Sequence, residues 1–238
     1  MNQEESKEAS LHFFNTIEER GLYEYNSEYY DTEFFVNFRD SMLAYRDSFA
    51  EVDTLEKFSI ATKEQMEIFK IISFVNFINM NLEVVKKYLK VLIKNGNDGI
   101  EFDENTTLGQ IIKKTCNKID YSEELKNATF DLFCVDFRNA IAHQHYLISE
   151  KEIVIYPKDD VKKKTYEVQD LVSLSYQVSG LYNAITEFAD KKAEEKFRKL
   201  VKLRKQLVEL KAPTSEIEEL DKDLEYFMKI YPDLDLKS

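Results

Sequence analysis

The stretch DFRNAIAHQHY, residues 136–146, gathers two of the chain's three histidines and one of its six arginines. Arg138 is followed at once by Asn139, and His143 stands five positions after the arginine. These groups can cut RNA without a metal. A base takes the proton from a ribose 2′-OH, the freed oxyanion attacks the adjacent phosphorus, and an acid protonates the leaving 5′-oxygen. An imidazole, with an ordinary pKa of about 6.5, serves in either role. A guanidinium fork matches the phosphate oxygens on which negative charge builds. Asn139 and His143 are spaced i, i+4 and share a face on a helix, so the amide can orient the imidazole or touch substrate. His145 lies seven positions after Arg138, near the same face if the helix continues, and is a candidate auxiliary proton carrier or a surface residue. The same residues also have a purely structural reading, with Arg138 paired to Asp136, Asp131 or a facing acid and His143 a hydrogen-bonded core histidine.

The elements that must hold this segment can be read from hydrophobic periodicity. A weak amphipathic pattern over 4–19 (Leu11, Phe14, Ile17) ends at Gly21. Phe34, Phe38, Met42, Tyr45 and Phe49 then step by three and four as a helix does. A long helix is predicted over 63–94, with Met66, Phe69, Ile72, Val75, Ile78, Leu82, Val85, Leu89 and Leu92 on its apolar face and NGNDG as its stop. On this helix Glu83 and Lys87 read as an ordinary i, i+4 pair. A short helix is predicted over 108–118. Another is predicted from Tyr121, capped by Asp120 with Glu123 completing the box, and running through Phe130, Phe133 and Phe137 into the arginine–histidine segment. After Tyr146 the period changes to two, and a β-hairpin is expected over about 147–168 with its turn near Lys158–Asp160. Helical spacing resumes at Leu171, Leu174, Val178, Leu181, Ile185 and Phe188 and runs to about Lys211. Pro213 breaks it, and Ser215 with Glu218 opens a last helix. The expected fold is therefore all-α, with long helices and one small hairpin. Three stretches are expected: an acidic N-terminal region 1–60, a helical core 61–211, and a C-terminal helix within 212–238 packed on that core.

Composition narrows the function classes. Formal net charge is −12, which argues against a general nucleic-acid-binding surface. The charge is uneven, however. Residues 1–60 hold 14 acids against 5 bases, and residues 191–211 hold 9 bases against 3 acids. Lys199, Lys202 and Lys205 in the second run are candidate RNA phosphate contacts, with a solvated helix face as the plain alternative. Cys116 and Cys134 lack metal-type spacing, and two isolated thiols fit a reducing cytoplasm. No phosphate-binding glycine loop, zincin pair or dinucleotide fingerprint is present, so neither a metal nor a cofactor is expected. The polar start MNQEESKEAS is unlike a signal peptide, and the uncharged run 71–82 is too short to span a bilayer. A cytoplasmic protein without a membrane partner is expected.

The sequence R-N-A-I-A-H at 138–143 resembles the HEPN superfamily (higher eukaryotes and prokaryotes nucleotide-binding), whose ribonuclease members carry R-x4–6-H, often as R-N-x-x-x-H. The resemblance extends more loosely over about 63–210, and 1–60 falls outside it. It implies a HEPN-like helical bundle and a metal-independent endoribonuclease with Arg138, Asn139 and His143 as catalytic residues, in the setting of a toxin or an antiviral effector. His143 fits the motif form better than His145. Family members build composite sites, which implies a homodimer through the motif helices, and an antitoxin or defence-system partner accompanies some of them. In HEPN toxins paired with a nucleotidyltransferase antitoxin, a modified tyrosine stands two residues after the motif histidine. Tyr146 stands three after His143 and one after His145, a departure from that pattern. The alternative within the resemblance is a non-catalytic module that binds nucleotide or RNA or regulates a partner. Residues 1–60 are a candidate lid that mimics RNA in cis.

Overall fold

The computed structural model describes residues 1–24, 61–94, 99–156 and 163–230. The expected helix over 32–49, the NGNDG stop and the turn near Lys158–Asp160 fall wholly or mainly outside the described residues. Within them the chain is helical apart from one small sheet, as its periodicity implied. Seven helices are described: α1 (Gln3–Glu19), α2 (Lys63–Leu92), α3 (Leu108–Lys118), α4 (Glu123–Leu132), α5 (Val135–Ala142), α6 (Val168–Glu209) and α7 (Thr214–Ile230). Strands β1 (Tyr146–Ile148), β2 (Glu152–Ile155) and β3 (Lys164–Glu167) pair antiparallel in that order. This sheet stands where a two-stranded hairpin was expected. The chain forms two compact units, residues 1–185 and 186–238, so the boundary falls inside α6.

In the first unit, α2 packs on α3 and α5, and α5 also meets α3, α4 and β2. The buried face of α2 includes Met66, Val75, Ile78, Leu82, Val85, Leu89 and Leu92. Phe69 and Ile72, placed on that face by spacing alone, are exposed instead. A 30-residue helix at 3.6 residues per turn drifts away from a strict three-and-four pattern, and Ile71 takes the inward position. α2 is apolar enough, by length and composition, to cross a membrane, yet eleven of its residues are buried inside the protein. α1 is opened by an Asn2–Glu5 capping box and buries Phe13, Phe14 and Ile17. Phe13 meets Phe133 edge-on at 5.3 Å between ring centres and Tyr121 at 6.4 Å. The N-terminal helix is thus welded to the segment leading into α5. Gly180 lets α6 approach the first turn of α1, because a Cβ there would lie 2.2 Å from the Gln3 carbonyl oxygen.

The continuous helix expected from Tyr121 into the arginine–histidine segment is two helices. Ser122, not Asp120, caps α4, its hydroxyl accepting the Leu125 N–H, while Asp120 takes positive φ. Phe133 ends α4 and Cys134 turns into the left-handed region (φ 46°), restarting the chain as α5 in a new direction. Gln177 of α6 holds this joint. Its amide nitrogen lies 2.7 Å from the Asp131 carbonyl oxygen, 3.0 Å from that of Leu132 and 3.2 Å from the Cys134 sulfur. The Gln177 backbone carbonyl accepts the Ser6 hydroxyl at 2.6 Å. A side chain that satisfies the orphan carbonyls at a helix end allows the break to be buried.

In the second unit the C-terminal half of α6 faces α7. The rings of Phe197 and Phe227 lie 6.2 Å apart, and Arg204 pairs with Asp221. Lys211 takes positive φ, with its N–H on the Val208 carbonyl and the Ala212 N–H on that of Leu207. This closure ends α6 just before Pro213.

Candidate functional site

Eight residues of α5 carry the arginine–asparagine pair, and the turn at the end of this helix decides the site. His143 is the C-cap, its N–H on the Asn139 carbonyl at 3.1 Å. Gln144 then adopts φ 58°, the Gln144 N–H reaches the Ile141 carbonyl at 3.1 Å, and the His145 N–H reaches that of Ala140 at 2.8 Å. These two bonds are the Schellman closure, here with glutamine in the position glycine usually takes. The helix therefore does not continue to His145. The turn itself brings the two imidazoles together, with ring centres 5.9 Å apart and planes inclined at 37°. Both histidines are exposed, which removes the buried-core reading of His143. The His145 carbonyl accepts the Tyr156 N–H at 2.8 Å, so the end of β2 pins the turn from the far side. Asn139 is partly buried one turn before His143, and Tyr146 is a partly buried residue of β1 opposite Ile155.

Arg138 points elsewhere. It is 7% exposed, and its Nε and Nη2 donate to Oε1 of Glu83 on α2 at 2.8 and 2.6 Å. Its Nη1 donates to the Asn139 side-chain oxygen at 3.3 Å. The other Glu83 oxygen accepts Lys86 at 2.7 Å. Spacing pairs Glu83 with Lys87, whereas its hydrogen-bonded partners are Lys86 and Arg138. Burial pushes the Glu83 carboxyl up, but the hydrogen bonds from Lys86 and Arg138 outweigh it, and the group sits below the ordinary glutamate value. Arg138, Lys86 and Glu83 together carry one net positive charge behind the asparagine. Glu83 is the site residue that spacing missed, because no local pattern reports a contact 55 positions away.

The approach of α5 to α3 depends on Gly109, where a Cβ would lie 2.8 Å from Val135 and 3.7 Å from the Asn139 side-chain nitrogen. On the side of α5 next to the sheet, Lys164 of β3 pairs with Asp136 at 2.8 Å and Tyr166 packs edge-on against Phe137. A cavity of about 190 Å³ opens there, lined among others by Asp131, Cys134, Lys164, Tyr166 and Gln177. Burial pushes both the Cys134 thiol and the Tyr166 hydroxyl up to about 12, so neither is a nucleophile or proton donor suited to neutral pH. Among the described residues no group of three or more His, Cys, Asp or Glu is placed to hold a metal ion.

Lys199, Lys202 and Lys205 belong to the second unit, and all three are exposed on α6. Lys202 and Lys205, with Arg198, edge a cleft of about 180 Å³ floored by Phe197 and Val201. Arg198 is engaged by Glu194 and Arg204 by Asp221, so these charges of the basic run are partly offset within the unit.

No family model, curated protein or solved structure matches this chain.

Proposed function

We propose that this protein is a metal-independent endoribonuclease of the HEPN type, acting by 2′-OH transphosphorylation. The observation that carries the reading is the pair of exposed imidazoles at the end of α5, side by side and one turn beyond Asn139. A base and an acid held near one phosphate are what the reaction needs. His143 takes the 2′-OH proton or protonates the 5′-oxygen, and His145 assists. Asn139 orients the imidazole or the phosphate. Arg138 acts from behind the asparagine, through the net positive charge of its cluster and its bond to the Asn139 amide. The lysines of the second unit supply sequence-independent phosphate contacts. The reading extends to a cytoplasmic toxin or antiviral effector that works as a two-fold homodimer, which would place two sets of these groups in one cleft. The exposed Leu147 beside the histidine turn suits burial at such an interface or under an antitoxin or defence-system partner.

The burial of Arg138 against Glu83 favours a second reading, a module of the same type that binds nucleotide or RNA without cutting it. Incubation with mixed cellular RNA in EDTA separates the two. The ribonuclease leaves 2′,3′-cyclic phosphate and 5′-OH ends, and His143→Ala abolishes them. Binding without new ends selects the second reading, and cleavage that needs added Mg²⁺ rejects the mechanism.

A further inference from the structure

The histidine turn has the form of a chelate. Two imidazoles on one tetrahedral ion, with metal–nitrogen bonds of about 2.0–2.1 Å, place their ring centres roughly 5 Å apart. His143 and His145 stand at 5.9 Å. Both rings are exposed, so rotation about their side-chain torsions closes the difference with the backbone in place. That backbone is held by the Ile141 and Ala140 carbonyls on one side and by the Tyr156 N–H on the other. The rings project from the C-terminal end of α5, where the helix dipole favours a cation. Competing soft ligands are few. Cys116 and Cys134 are buried, and the remaining histidine, His12, is exposed on α1.

We propose that His143 and His145 form a two-ligand site for a divalent first-row transition metal of the zinc class, the remaining positions being filled by water. Imidazole suits zinc, copper and nickel and is a poor ligand for magnesium or calcium. The ion is an inhibitor and not a cofactor. It coordinates the nitrogen lone pairs that the proposed cleavage needs for proton transfer, and so couples the activity to free transition metal. This regulatory part rests on the ribonuclease reading. The metal site does not.

The test is calorimetric titration of Zn²⁺ alone into the untagged, metal-free full chain, beside His12→Ala, His143→Ala and His145→Ala. One Zn²⁺ should bind per chain. Chelation exceeds single-ligand binding by about 10²–10⁴ where the geometry allows both contacts. His143→Ala and His145→Ala should therefore each weaken binding by roughly a hundredfold, while His12→Ala leaves it unchanged. No saturable binding, one ion per two chains, or equal loss in His12→Ala would overturn the site. In the cleavage assay, Zn²⁺ should inhibit the wild-type protein and EDTA should reverse it. Zinc binding by a protein that cuts no RNA supports the site and counts against the ribonuclease. Cleavage without zinc binding does the opposite.

Discussion

Removing Glu83 should destabilise the protein more than removing the charge of Arg138. The Arg138 side chain is 9% exposed and that of Glu83 is 35%. In Glu83→Ala the guanidinium loses both short hydrogen bonds and stays buried with only the 3.3 Å contact to Asn139. A net hydrogen bond to a charged group contributes about 1.5–3 kcal/mol. Breaking a fully buried pair from one side costs about 3–5 kcal/mol. Water reaches the exposed third of Glu83 and screens the pair, so the two bonds together are worth about 2–3 kcal/mol here. For a chain of this size that corresponds to a fall in Tm of roughly 5–10 °C. Arg138→Met keeps most of the aliphatic stem and leaves Glu83 with Lys86 and solvent, so it should cost under about 1 kcal/mol. Urea unfolding of both single variants and the double variant measures the asymmetry, with a coupling of about 1–3 kcal/mol expected. Equal single costs, or Glu83→Ala within about 0.5 kcal/mol of wild type, would refute the description of Arg138 as a buried charge held by this carboxylate.

Four further outcomes are expected. Glu83 titrates below its ordinary 4.5 in the folded protein, so its stabilisation is complete above that value and is lost as pH falls through the folded value. The stability gap between wild type and Glu83→Gln, measured by urea melts from pH 7 to 3, should therefore close on the acid side. Gln177→Leu takes the side-chain amide away from the Asp131 and Leu132 carbonyls at the α4–α5 joint and should cost about 1–3 kcal/mol, with faster amide exchange in residues 133–137. Reversing Lys199, Lys202 and Lys205 to glutamate should weaken RNA binding and flatten its salt dependence, and an unchanged slope would make this run a solvated face. The active species should be a dimer, so specific activity should fall on dilution in step with light scattering. Full activity in a demonstrated monomer would show that the His143 and His145 pair of one chain suffices, and would reject the dimer.

α1 is part of the core of the first unit. Phe13, Phe14 and Ile17 are core residues, so removing residues 1–60 would open the first unit. A deletion confined to residues 25–60 spares them. Cleavage or toxicity should then rise if those residues cover the site.

What the sequence determined by itself was local. Thr62 with Gln65 and Thr107 with Gln110 close capping boxes three residues apart. The apolar steps of α2 and α6, and the switch to period two after Tyr146, report which face each element buries, because side chains 3.6 or 2 positions apart share an environment. The motif residues were legible for the same reason, being neighbours in the chain. The tertiary structure decided the rest. The bend at Cys134 depends on Gln177, 43 positions away, and an apolar period running through Phe130, Phe133 and Phe137 cannot show that a distant amide will satisfy the carbonyls of a broken helix. The nearness of His143 and His145 depends on positive φ at Gln144, a conformation that glycine signals and glutamine does not. The commitment of Arg138 to Glu83 is a choice among acids at every distance along the chain. Only packing α5 on α2 made it, because a buried guanidinium takes the carboxylate that the fold places beside it.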